Sequence, residues 1–224
     1  MSTATTTPLP QRIATRELII EGTIELINLR GTNIGIRQIV EHTNTSSGSF
    51  YYYFNNFSEI VLAIVNQLRS ELAEVLKLPL FGPIHPVQAV GYYTGGASLL
   101  WRYRSIISAG RELSHLSTEL ANGFRDLNKE GFMGIRLILE NLLEHNPGPT
   151  AIDQESRDRL AESLWVLSSA WPRYEDTINE PGQTTPHDIA EGLQQCAFML
   201  VPYVDKNLIT QVNDGLKKYI SALE

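Results

Sequence analysis

The chain has 224 residues, 42% of them hydrophobic and 19% charged, enough for one or two domains with a substantial core. Its formal net charge of -7 counts against a non-specific nucleic-acid binder, which carries a basic excess, yet leaves room for a small positive patch. The single cysteine, Cys196, excludes an intrachain disulfide and any metal site built on several thiolates; in its apolar helical run it reads as a buried small hydrophobe. The opening MSTATTTPLPQR has no apolar signal core, and no apolar run reaches the ~20 residues that span a bilayer, so the cytoplasm is the expected location.

Residues 1–9 are small, polar and aperiodic and are expected to form a disordered arm. A helix is predicted from Pro10, with Ile13, Ile20, Ile24 and Ile27 on one face and Gly31 as its stop. A short helix IRQIVEHT follows, with Ile36, Ile39 and Val40 inward, and Asn44 sits where a tight turn needs a residue tolerant of positive φ. The aromatic stretch from Ser47 to Phe54 is read as about two helical turns rather than as a strand. Asn56 and Glu59 have the spacing of an N-cap and its N3 partner, opening a helix with Ile60, Ile64, Leu68, Leu72 and Val75 on one stripe. Pro79, Pro83 and Pro86 mark the clearest boundary. Beyond them helices are predicted over about Val87–Arg104, a short piece to Ala109, then Ser114–His145, Asp153–Trp171, Asp188–Val201 and Asp205–Leu223. The fold class is all-α, divided into the arm 1–9, a helix-turn-helix domain 10–56, a connecting helix 57–78 and a ligand-binding and dimerisation domain 79–224.

Two short helices joined by a tight turn, the second beginning with small polar residues, describe a helix-turn-helix that offers its second helix to the major groove. Ser47, Gly48 and Ser49 are small enough to let it approach, and serine can donate or accept at a base edge. Phe50 and Phe54 are four apart and are expected to pack inward, while Tyr51 and Tyr53 carry their hydroxyls toward phosphates or bases. Tyr52 either flanks the groove or packs at its rim.

The residues GSFYYYF at Gly48–Phe54 resemble the G-[ST]-[LF]-Y-x-[HY]-F signature of the TetR family of bacterial transcriptional regulators. The flanking RELIIEGTIELI at Arg16–Ile27, Gly31, IRQIV at Ile36–Val40 and SEIVLAIV at Ser58–Val65 follow the family's order. The resemblance implies DNA contacts by Arg37, Ser47, Gly48, Ser49, Tyr51 and Tyr53. Thr45 and Ser46 would lie at the start of the recognition helix, where backbone N–H groups bind a phosphate. Two departures stand out: Thr43-Asn44-Thr45-Ser46 replaces the usual A-G-V-S, and Phe57 stands where a phosphate-binding lysine is common. The glutamates of this segment outnumber its arginines, so modest affinity with a shallow salt dependence is expected.

The resemblance also implies an effector cavity and a dimer interface in the second half. Gly91, Gly95, Gly96, Gly123, Gly131 and Gly134 fall inside predicted helices, where each costs ~1 kcal/mol relative to alanine. Close helix approach is the first explanation and room for a ligand the second. Tyr92, Tyr93, Trp101, Phe124, Phe132, Trp165 and Trp171 are candidate wall residues, with Arg104, Arg111, Glu112 and His115 as nearby polar groups; His115 reads better as a surface or capping residue. For a two-fold dimer, Leu160, Leu164, Leu167 and Trp171 form one stripe and Leu193, Ala197 and Leu200 another, unless one of them faces its own core. No metal spacing, phosphate loop or nucleophile elbow is present, and no catalytic residue, metal or cofactor is assigned. The expected function is a homodimeric repressor released from a palindromic operator by a small-molecule effector. The alternative is a helix-turn-helix-shaped protein-interaction module that does not bind DNA on its own.

Overall fold

A computed structural model describes residues 9–77, 79, 82–180 and 182–223; the expected arm, apart from Leu9, lies outside them. Eleven helices follow one another among the described residues: α1 (Leu9–Arg30), α2 (Ile36–His42), α3 (Ser47–Tyr53), α4 (Phe57–Val75), α5 (Pro86–Arg102), α6 (Arg104–Ser108), α7 (Gly110–Ser114), α8 (Thr118–His145), α9 (Gln154–Ile178), α10 (Pro186–Leu200) and α11 (Lys206–Ser221). The one extended pairing among the described residues is an isolated antiparallel bridge between Pro147 and Val204, which ties the loop after α8 to the loop before α11.

Local chemistry sets the ends. Gly31 stops α1 at φ 75°, and Asn44 turns the chain between α2 and α3 at φ 50°, both in the left-handed region. The Ser46 side chain caps α3 by accepting from the Ser49 N–H. Asn56 caps α4 as expected, but the Glu59 carboxylate reaches back one residue further, accepting from the Asn55 N–H at 2.9 Å. Residues 110–114 form a helix of their own, so α8 starts late, at Thr118, capped by Ser117. α9 runs past its expected end at Trp171 to Ile178 with Pro172 buried inside it, since one proline removes only one backbone donor.

The first core gathers Ile19, Ile27, Ile39, Phe50, Ile60 and Ile64 with Tyr103, Ile106, Leu113 and Leu120, so the N-terminal helices close on α5 to α8 without a break. The second gathers Ile84, Leu139, Leu142, Leu164, Ala197, Leu200, Leu208 and Val212 from α8 to α11 and the segment before α5. α4 lies between them, packed on α1, α5 and α8. Most of the helical glycines are seats for neighbours: a Cβ would meet Trp165 at 2.2 Å from Gly131, Leu76 at 2.7 Å from Gly134 and Val75 at 3.1 Å from Gly95.

The two expected dimer stripes need correction. Leu164, Leu193, Ala197 and Leu200 are buried within this one chain, and Leu160 and Leu167 pack against the second core. Trp171 lies over Gly192 of α10 and donates its indole N–H to the Asp188 carbonyl at 2.8 Å. Apolar residues at helical spacing served α9–α10 packing inside the protomer. The large apolar side chains left outside on these helices are Val166, Tyr174, Ile178 and Phe198, with Val201 just beyond α10.

Candidate nucleic-acid interface and ligand cavity

The smallest unit of the head is the turn between α2 and α3. The Thr43 hydroxyl donates to the Ile39 carbonyl and pairs with Thr45 at 2.8 Å, and the methyl of Thr43 lies against Gly22 of α1. A Cβ on Gly22 would stand 2.4 Å from that methyl, so α1 fixes the turn by close approach. From there α3 buries Phe50 and Phe54 completely or nearly so, and a guanidinium from Arg16 lies 5.5 Å from the Phe54 ring. Ser46, Ser47, Gly48, Tyr51 and Tyr52 are exposed, while Thr45 and Ser49 are half-buried, the Ser49 hydroxyl sharing a hydrogen bond with Ser46.

The tyrosines divide differently from expectation. Tyr52 is 60% exposed, whereas Tyr53 is half-buried against the first core, its ring edge-on to Tyr52 at 4.8 Å. Steps of about 100° per residue bring Tyr53 back beside Phe50 and send Tyr52 to the opposite side. That signal was in the spacing. Phe57, where the lysine of related heads would stand, also packs against the core. Arg37 is exposed and holds Glu41 at 2.7 Å, a contact that raises its pKa through the hydrogen bond and then the charge of Glu41. Such a solvated pair exchanges readily for a phosphate.

The second feature is a cavity of about 780 Å³ within the C-terminal helices, of the size that takes small-molecule ligands. Its wall includes Tyr92, Tyr93, Phe124 and Trp165 of the expected set. Trp101 and Phe132 are not in it: Trp101 is covered by Arg104, whose guanidinium lies 3.8 Å above the ring, and Phe132 packs into the second core. Of the polar groups considered, Arg111 reaches the wall, and Arg104, Glu112 and His115 do not. Sequence reasoning missed Arg125, Arg173 and Asn128, which lie among surface-like patterns on α8 and α9 and gave no apolar signal. Gly96 is the one glycine of the six in the wall, where a Cβ would lie 3.4 Å from Leu193. Cys196 also lines the cavity; burial pushes its thiol up to about 12, so it stays protonated at neutral pH.

Two family models match the chain: one described as bacterial regulatory proteins of the tetR family over residues 19–64, the other as a bacterial transcriptional repressor over residues 67–210. The chain belongs to the TetR family of bacterial transcriptional regulators. It is a DNA-binding regulator with a ligand-binding domain and not an enzyme, and nothing favours the interaction-module alternative. A TetR-family regulator from Marinobacter aquaeolei VT8 shares the fold with TM-score 0.78 and 23% identity, covering 92% of this chain and 98% of that one. Regulatory protein TetR from Rhodobacter sphaeroides superposes with TM-score 0.64 at 14% identity over 85% of this chain and 99% of its own. A gamma-butyrolactone receptor follows with TM-score 0.57 at 14% identity, covering 95% and 99%. No curated protein matches the sequence. No described helix is long and apolar enough to cross a membrane.

In this TetR-family chain a polar cluster adds to the apolar core in fastening the head to the cavity domain. Arg102 at the end of α5 donates to Glu21 of α1 at 2.6 Å, Gln67 of α4 donates to both Glu21 and Glu71, and the Tyr103 hydroxyl donates to Glu71 at 2.9 Å. Burial first, then the Glu71 carboxylate, push the Tyr103 phenol well above its ordinary value. Asn28 adds a second tie, donating to the Arg102 carbonyl and accepting from the Ser105 N–H. Glu21 therefore points at the other domain, and the DNA-facing side is less acidic than the sequence count suggests.

Proposed function

We propose that two copies of this chain bind a palindromic operator as a repressor, and that a small molecule entering the cavity releases it. One observation carries the reading: α4 is shared. Val61, Ile64 and Val65 belong to the core under the head, and Leu68, Leu72 and Val75 of the same helix belong to the cavity wall. A ligand that packs better against one setting of α4 than another shifts the head by that difference in affinity.

In the bound state the two α3 helices enter successive major grooves roughly 34 Å apart. Ser47, Gly48, Tyr51 and Tyr52 face the groove; Arg37, Thr45, Ser46 and Ser49 serve the backbone at the helix start, and Tyr53 serves chiefly to hold α3 against the core. The pairing of copies uses the outer sides of α9 and α10, where Tyr174, Ile178 and Phe198 are exposed. The protein works in the cytoplasm, where the chromosome is, with an effector but no cofactor.

The test is fluorescence anisotropy of the protein against DNA flanking its own gene, at several salt concentrations, with a scrambled duplex beside it. Saturable binding of one dimer, lost on the scrambled duplex, is expected. Arg37→Ala should weaken binding on every duplex and reduce the salt slope by about one. Equal binding to both duplexes, or none across genomic fragments, would rule the reading out.

A further inference from the structure

The charges around the cavity are lopsided. Its wall carries three arginines, Arg111 of α7, Arg125 of α8 and Arg173 of α9, and no aspartate or glutamate, although the whole chain has a net charge of -7. All three are exposed, as are the other solvent-reached wall residues, Asn128, Val166 and Ala170. They therefore mark one opening, between α7, the first half of α8 and the middle of α9. Elsewhere Arg37, Arg69, Arg102, Arg136 and Arg159 each hold a carboxylate within 4.0 Å, whereas, among the described residues, Arg16, Arg30, Arg104 and Arg157 do not. Among the described residues Arg111, Arg125 and Arg173 hold none; Arg125 turns instead to the side-chain oxygen of Asn122.

Behind the opening the wall changes character. It follows α8 from Ala121 to Leu142, about 30 Å at 1.5 Å per residue, and ends against Val204, Leu208 and Val212. The deep part is aliphatic, with Tyr93 as its main polar interruption. That phenol lies in the cavity wall, half-buried, and has no hydrogen-bond partner among the described residues. Burial raises its pKa, so it remains a neutral donor.

We propose that the cavity is built for a long-chain amphipathic anion, its carboxylate held at the opening by Arg111, Arg125 and Arg173 and its aliphatic body laid along α8. This names the ligand class for the effector reading above and rests on it. A cation would meet three like charges at the entrance. Arginine suits the task because its planar fork gives two parallel bonds to a carboxylate and stays charged.

The experiment uses the full chain and a neutral apolar dye, N-phenyl-1-naphthylamine, whose emission reports entry into the cavity. Dodecanoate, dodecanol and dodecyltrimethylammonium are then titrated as competitors, the two ions below their micelle-forming concentrations and the alcohol below its solubility. Dodecanoate should displace the dye at a concentration at least about tenfold lower than dodecanol, as a charge-assisted hydrogen bond requires, and the ammonium should compete worst. In R111Q/R125Q/R173Q dodecanoate should fall to the level of dodecanol while dodecanol is unchanged; the three sites are exposed, and circular dichroism checks that the helices survive. Dye that enters but is displaced equally by acid and alcohol overturns the anion proposal and leaves the effector cavity standing. A preference for dodecanoate that persists in the triple variant overturns it as well. Dye that never enters overturns both.

Discussion

Gly48 has open space around it: a Cβ there would come no closer than 3.7 Å to Ser46. Nothing inside the protein needs a glycine at this exposed position, so its small size answers to something outside. Gly48→Ala should leave the fold intact, or firmer by up to about 1 kcal/mol, and should weaken operator binding about tenfold by crowding the groove. Thermal unfolding and anisotropy on the same preparation separate the two effects; unchanged affinity would mean that α3 does not approach bases at this point. A second residue makes a different case. Burial raises the Glu175 carboxyl, with Asp188, Glu191 and Asp176 adding to it and the hydrogen bond from Asn179 opposing. A carboxyl whose folded pKa exceeds its unfolded one contributes stability at low pH and loses it as pH rises through the folded value. Glu175→Gln should therefore raise thermal stability at neutral pH, on the order of 1 kcal/mol, with a smaller gain near pH 4. At this scale the sequence was partly legible. Phe50 and Phe54 announce their burial by spacing alone, but Arg125 and Arg173 look like any other surface arginine until three helices bring them to one opening.

Helices were the easiest level to read, because caps and stops are local. Gly31, Asn44, Asn56 and Asp205 all act where their chemistry points. The misreadings came where tertiary contact decides. Pro172 reads as a stop and is carried inside α9, and the leucine stripes of α9 and α10 read equally well as a dimer seam or as a core. Periodicity tells that a face is buried and not by what. The seat of Trp171 on Gly192 shows what does fix the pair: a Cβ at 192 would stand 2.3 Å from the indole. Gly192→Ala should force α9 and α10 apart and cost about 1–3 kcal/mol as overpacking does, despite alanine's better helix propensity. A variant as stable as the parent in chemical denaturation would show that the indole can move aside freely.

For the molecule as a whole, the cluster of Glu21, Gln67, Glu71, Arg102 and Tyr103 joins head to cavity domain. A double-mutant cycle between Glu21→Gln and Arg102→Ala should give a coupling of about 1 kcal/mol in thermal stability, with a matching non-additivity in operator affinity. Additive effects would mean that the pair is incidental and that packing on α4 alone sets the head. α4 itself suggests a wider consequence. Gln67 and Leu68 are neighbours in sequence, one turned to the cluster and the other to the cavity. On the proposed reading the part of the wall that transmits lies on α4 and α5, which also carry the cluster, and the part that discriminates belongs mainly to α8, α9 and α11. Substitutions in the discriminating part can change what the protein senses without disturbing how it responds. Such a chain can drift to a new signal in small steps while its switch is kept, and a designer can move it the same way.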